Sequence, residues 1–230
     1  MRYIYLLVLI IFSNCLFAQE KEPKKKESKY FNSPIFFHDS VEREGEKYKV
    51  AYIPFQFEVG PVFYFFDKST KNYFDNGVGY KISGSCFINT GFMLKFTWHS
   101  YTAEVQDTLV FEKGLFTPPE KGSINGTAIS LGYFFSLGEA SSITPYASLI
   151  YTGIEPESDD FYSHQGIGFG VCTNVAKKLK PMNYLVFSLD LGYGFTNFDK
   201  LNPNLGDHAF FVSFGIGYRL PSWKLYSKLE

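Results

Sequence analysis

The stretch from His208 to Leu220 reads HAFFVSFGIGYRL. Phe210, Val212, Phe214, Ile216, Tyr218 and Leu220 fall on one parity; Ala209, Phe211, Ser213, Gly215, Gly217 and Arg219 fall on the other. Side chains of a strand alternate between its two faces. The pattern therefore predicts a strand with one wholly apolar face and one small or polar face.

The same parity runs backwards through the chain. Segment 183–197 sets Leu185, Phe187, Leu189, Leu191, Tyr193 and Phe195 against Val186, Ser188, Asp190, Gly192, Gly194 and Thr196. Segment 165–178 sets Ile167, Phe169, Val171 and Val175 against Gly166, Gly168, Gly170, Cys172 and Asn174. Segment 142–154 places Ile143, Ala147, Leu149 and Tyr151 together, and segment 126–138 places Ile129, Leu131, Tyr133, Phe135 and Leu137 together. Segments 91–106, 78–89 and 49–66 set Phe92, Leu94, Phe96 and Trp98, then Val78, Tyr80, Ile82 and Ile88, then Ile53, Phe55, Phe57, Val59, Phe63 and Phe65, against polar partners such as Lys95, Lys81 and Glu58. These are eight segments. Pro54 and Pro61 lack a ladder donor, so a bend or bulge is expected in the first.

The connections alternate in length. Asn89–Gly91, Gly138–Ser141 and Lys180–Met182 are tight, whereas 67–77, 107–125, 155–165 and 199–207 are longer and polar. An up-and-down membrane barrel has short turns at one end and longer loops at the other. A lipocalin-like soluble barrel would line its inside with apolar residues and turn its charges outward. Here the apolar face is almost uninterrupted, and the charges Glu58, Lys81, Lys95, Asp190 and Arg219 share the other face with Gly and Ser. A closed barrel with that apolar face outward satisfies its backbone and can stand in lipid. The expected fold is all-β: an eight-stranded antiparallel up-and-down transmembrane β-barrel over 48–220.

The chain resembles the small eight-stranded outer-membrane barrels, the class that includes OmpX and the membrane domain of OmpA. Its most specific part is FFVSFGIGYRL, which resembles the C-terminal strand read by the barrel-insertion machinery. The resemblance implies an insertion signal carried by Phe214, Gly217, Tyr218 and Leu220. The family usually finishes on Phe or Trp, whereas PSWKLYSKLE follows Leu220 here, so the signal would be internal. The implied setting is the bacterial outer membrane with its lipid and lipopolysaccharide. The family mixes structural barrels, narrow pores, adhesins and lipid-modifying enzymes, so the resemblance leaves function open.

Composition agrees. Of 230 residues, 45% are hydrophobic and 20% aromatic, with 26 Phe and 17 Tyr. Twenty-two Lys+Arg against 23 Asp+Glu give a net charge of -1, which offers no basic excess for nucleic acid. A mean hydropathy of -0.09 excludes a helical membrane protein. Arg2 followed by the apolar run Tyr3–Phe12 predicts a signal peptide over 1–18, cleaved after Ala18; the competing reading is a lipoprotein site at Cys15. Residues 19–47 carry fourteen balanced charges and read as a charged periplasmic linker, and 221–230 as a short periplasmic tail.

Candidate chemistry lies on the polar face. Glu58, Lys81, Lys95, His99, Asp190 and Arg219 predict an interior ion-pair cluster, because buried charge is costly unless paired. It can serve as a fixed ionic plug, or as a gate whose pairs exchange to open a narrow pore for small solutes. Lipid A-modifying barrels would need a His with a Ser and an acidic partner. The nearest set is His99, Ser100 and Glu104, but His99 and Ser100 point to opposite faces, so no catalytic site is predicted. His164 with Asp159 and Asp160, and His208 with Asp207, read as solvated loop residues, and no metal or cofactor is expected. The glycines at 166, 168, 170, 192, 194, 215 and 217 make room for Phe87, Phe134, Tyr146 and Phe211, or ease barrel curvature, with a small lumenal cavity as the alternative. Cys86 and Cys172 face opposite sides of the wall, which argues against a disulfide. The outer loops, 107–125 above all with Phe111, Leu115 and Phe116, are the expected surface for an extracellular ligand; the alternative is that these apolar residues rest on the barrel rim.

Overall fold

The computed structural model describes residues 37–228 apart from 44, 89–90, 111–114, 117, 119–120, 138–139, 157–161 and 181–182. The expected signal peptide (1–18) and residues 19–36 of the expected linker lie outside the described residues. Twelve strands follow in order: β1 (Phe37–Arg43), β2 (Glu46–Phe66), β3 (Gly77–Ile88), β4 (Phe92–Glu104), β5 (Leu109–Val110), β6 (Leu115–Phe116), β7 (Lys121–Tyr133), β8 (Phe135–Ser136), β9 (Ser141–Pro156), β10 (Tyr162–Lys180), β11 (Asn183–Phe195) and β12 (His208–Lys228). One short helix, α1 (Lys68–Lys71), follows β2.

Eight strands close on themselves in the order β2, β3, β4, β7, β9, β10, β11, β12 and back to β2, every pair antiparallel. From Phe55 the register leads through Cys86, Leu94, Leu131, Ala147, Phe169, Tyr193 and Phe210 back to Phe65, a stagger of ten residues along β2. With a rise of ~3.4 Å per residue and ~4.8 Å between strands, that stagger tilts the strands by roughly 40°. An eight-stranded interior is just wide enough for side chains to fill.

That circuit threads the outer face, and the outer face is the greasy one. Phe96, Leu131, Leu149 and Phe214 are 52%, 55%, 68% and 50% exposed, while inward-facing Ser213, Glu58 and Lys95 are 0%, 1% and 2% exposed. A soluble barrel would show the reverse. The arrangement is a transmembrane barrel, with lipid taking the place of a second packing layer. Aromatic pairs gather at both ends of this belt. Phe92 and Tyr133 meet edge to face at 5.3 Å near the tight turns. Tyr80 with Trp98 (5.4 Å) and Phe65 with Phe210 (6.0 Å) lie toward the loops. Amphipathic rings favour these interfacial depths.

Three details depart from the sequence expectation. Ile143 keeps the outer parity but is buried, in register between Phe135 and Thr173. The prolines of β2 act differently from each other. The register slips between Pro221 and Trp223, opposite Pro54, whereas across from Pro61 the ladder is interrupted but keeps its register. The sheet also continues past 48 and 220. β12 stays paired with β2 as far as Lys228 opposite Tyr48, and β1 pairs with the start of β2 from Phe37 opposite Tyr52 to Arg43 opposite Glu46. Much of the stretch read as linker and tail thus forms a three-stranded ribbon on the turn side of the barrel.

The belt makes a direct prediction. Phe214→Lys, which puts a charge on the lipid face, is expected to cost about 2–4 kcal/mol, whereas Phe214→Leu costs under ~1.5 kcal/mol. Urea titrations of the chain folded into phospholipid vesicles measure both.

Candidate functional site

The interior charges sort into two layers. In the upper one, Asp190 on β11 accepts from Lys95 of β4 at 2.8 Å, from Lys81 of β3 at 3.4 Å and from the Tyr146 hydroxyl of β9 at 2.6 Å. Four strands thus converge on one carboxylate. In the lower layer, Glu58 accepts from Gln56, from Ser83 at 3.3 Å and from Ser188 at 3.1 Å. The Gln56 carbonyl oxygen takes two donors from Arg219, Nε at 2.8 Å and Nη2 at 2.7 Å, and its amide donates to Asn174 at 3.2 Å. Arg219 therefore reaches Glu58 only through an amide.

The expected cluster is thereby split. Lys81, Lys95 and Asp190 are brought together; Glu58 and Arg219 form a separate network. His99 joins neither and packs its ring 5.4 Å from that of Tyr64. Gln56, Tyr146 and Asn174 were not singled out as network members, although their inward parity was legible.

Both ends of the lumen are filled. At the turn end Phe87, Met93, Phe134 and Val186 are buried, and Arg219 lies 5.3 Å and 5.8 Å over the rings of Phe87 and Phe134. At the loop end an apolar lid packs Phe74, Leu109, Phe198 and Leu205 from the connections onto Val62, Tyr64, Tyr101, Ile124 and Ile154 of the wall. Polar bonds fasten this lid: Asn202 donates to the Val110 carbonyl at 2.6 Å, Gln106 N–H to that of Tyr73 at 2.7 Å, and Gly206 N–H to the Thr70 hydroxyl at 3.0 Å. Apolar residues inside otherwise polar loops were the available signal for it.

Between lid and upper layer lies a cavity of about 60 Å³. The glycine expectation holds in part. A side chain at Gly192 would run into the Phe211 ring and one at Gly170 into Tyr146, but Phe87 and Phe134 meet none of the seven glycines; Gly168 and Gly194 line the cavity.

Other candidates stay apart. His99 faces the lumen, while Glu104 stands exposed, so His99, Ser100 and Glu104 make no triad. Cys86 and Cys172 are free thiols, the second buried. Asp67 joins Asp207 and His208 at the rim, their ligand atoms within 4.8 Å of one another. The group reads as a latch between strand ends. Asp67 caps α1 by accepting from Thr70 N–H at 2.9 Å, and His208 Nδ1 pairs with Asp207 at 2.6 Å, which holds the Asp207 carboxyl below its ordinary range. Asp159 and Asp160 lie outside the described residues. Of the insertion-signal residues, Phe214, Tyr218 and Leu220 face outward, and Gly217 is where the β2 backbone approaches closely at the Phe57 carbonyl.

No family model and no curated protein matches the chain. Among solved structures it is similar to Neisserial surface protein A (14% identity, TM-score 0.48, 75% of this chain and 99% of that one). It is also similar to the attachment invasion locus protein Ail of Yersinia pestis (13%, 0.44, 74% and 99%). A third is a major outer membrane protein from Thermus thermophilus (14%, 0.44, 73% and 99%). At such identities and scores, the barrel rests on its own hydrogen-bonded ladder.

The upper layer yields a prediction. Asp190→Asn leaves two ammonium groups without their carboxylate and is expected to cost about 3–5 kcal/mol, whereas replacing Asp190, Lys81 and Lys95 together by apolar residues recovers most of it. Equilibrium unfolding in detergent micelles reads the difference.

Proposed function

We propose that this chain is an integral protein of the bacterial outer membrane, delivered by a cleaved signal peptide, whose role is structural or interactional and is exerted through its outer loops. The observation that carries the reading is the double closure of the lumen. Aromatic side chains and Arg219 fill the turn end, and the lid fills the loop end. Such a barrel offers the environment a folded outer surface. The connection between β4 and β7 remains the favoured contact surface. Within it Val110 is 65% exposed while Leu109 anchors the lid, so β5 is held by one side chain and presents the other outward. Phe111 lies outside the described residues, and Leu115 and Phe116 form β6.

On this reading, outer-membrane lipid and lipopolysaccharide surround the belt, and the insertion machinery reads Phe214, Gly217, Tyr218 and Leu220. The competing reading, a narrow pore gated by interior ion pairs, draws on the cavity and on the shared carboxylate of Asp190. It requires both plugs to yield. A lipid-modifying enzyme has less support, since His99 and Glu104 stand on opposite faces of β4.

The two main readings separate in planar bilayers. The folded chain is expected to hold the baseline conductance, and an epitope inserted after Pro118 is expected to be reached by antibody on intact cells. Steady unitary openings that change with Lys81→Ala would transfer the assignment to the pore.

A further inference from the structure

We infer that the lumen holds a small monovalent anion, of halide size, in the chamber between the Asp190 layer and the lid. The argument starts from charge. Five charged side chains are buried inside the barrel among the described residues: Lys81, Lys95, Arg219, Glu58 and Asp190. Three cations against two carboxylates leave one positive charge over. It is not spread evenly. Glu58 and Arg219 balance each other through Gln56 in the lower layer. The excess therefore sits in the upper layer, where two ammonium groups share one carboxylate.

Those ammonium groups are also short of partners. An ammonium carries three donors. Each lysine makes one hydrogen bond to Asp190, and that of Lys81 is long at 3.4 Å. Asp190 is itself occupied by Tyr146. A buried positive charge with unspent donors is strongly disfavoured unless something anionic meets it.

The chamber supplies a further donor. Its lining includes both lysines and the Asp190 carboxylate they share, together with Ser213. Ser213 is 0% exposed, and its hydroxyl oxygen has no hydrogen-bond partner among the described residues. Ser213 stands directly opposite Asp190 in the β11–β12 register, beside the carboxylate that the two lysines share. An orphan hydroxyl costs about 1–3 kcal/mol when buried. A hydroxyl can donate to an anion as readily as it accepts, so one occupant satisfies the lysine and the Ser213 hydroxyl together.

Size selects the class of anion. A single water needs roughly 10–15 Å³ of such space. The cavity of about 60 Å³ takes a halide-sized ion with a few waters, and no metabolite-sized solute. The rings of Tyr64, Phe66 and Phe211 from the wall and of Phe198 from the lid line the same chamber.

Bromide is the probe. The full chain is refolded in detergent with sodium bromide as the sole halide, so that the lid closes over the ion, and crystals are measured at the bromine absorption edge. In parallel, thermal unfolding is followed in bromide and in gluconate at equal ionic strength, since gluconate is too large for the chamber. The expected result is an anomalous peak inside the barrel in contact with Lys81, and a saturable rise in Tm with bromide that gluconate does not give. Lys81→Met is expected to lose that bromide-dependent rise, and Ser213→Ala, which keeps the charge, to weaken it. The inference is overturned if bromide binds only on the protein surface, or if wild-type Tm follows bromide and gluconate alike. Because both decisive readings come from the wild-type chain, a variant that fails to fold does not protect the inference.

Discussion

Everything in this molecule follows from the ladder between β2 and β12, the pair that turns a sheet into a ring. In hydrocarbon, an unpaired backbone N–H or C=O has no water to bond, so an open edge cannot stand there. Closure removes the edges, and the ten-residue stagger at which β12 meets β2 fixes tilt and diameter together. Gly60 and Gly217 mark how tight that meeting is, for a side chain at either would strike the facing backbone. Two prolines on the closing strand are tolerated because the ladder slips at one and is interrupted at the other without changing partner.

Closure has a second consequence. Once the apolar parity faces lipid, the polar parity has nowhere to go but inward, and a narrow interior must be filled with it. The chain solves this in layers: an aromatic floor around Arg219, an amide-bridged network at Glu58, a carboxylate shared by two lysines at Asp190, a chamber, and a lid folded down from the loops. Carboxylates here are bonded by several strands at once, so the network acts as cross-bracing as well as filling. Desolvation offsets much of the attraction in a buried pair of this kind, so its presence is weak evidence for raw stability.

Legibility in the sequence tracked periodicity. Residues on a strict period of two, such as Phe210 to Leu220 or Leu185 to Phe195, left no doubt about which face they would take, because a one-residue slip would drive the whole apolar set into the lumen. That parity also supplied the strand count, and the alternation of tight and long connections pointed to the up-and-down arrangement. The charged site was legible as a set but not as a partition. Parity places Glu58 and Asp190 on the same inner surface, but which lysine reaches which carboxylate depends on stagger, and stagger is a property of the closed ring. Gln56 as a bridge was invisible for the same reason. The ribbon of β1 with the ends of β2 and β12 was missed because charge density in 37–47 outweighed a weak alternation, and pairing with a neighbour supplied what local pattern did not. The lid was missed because Phe74, Leu109, Phe198 and Leu205 are scattered across connections, with no shared period.

Spin labels along β11 reach the central claim, that the greasy parity meets acyl chains and the polar parity is enclosed. Single cysteines at Phe187, Ser188, Leu189 and Leu191, in a background lacking Cys86 and Cys172, are labelled after the chain is folded into lipid vesicles. Labels at 187, 189 and 191 should collide readily with dissolved oxygen and hardly at all with a water-soluble nickel chelate, while the label at 188 is shielded from both. Free access of the nickel chelate to the odd positions, or immobile labels there that neither reagent reaches, would contradict the account.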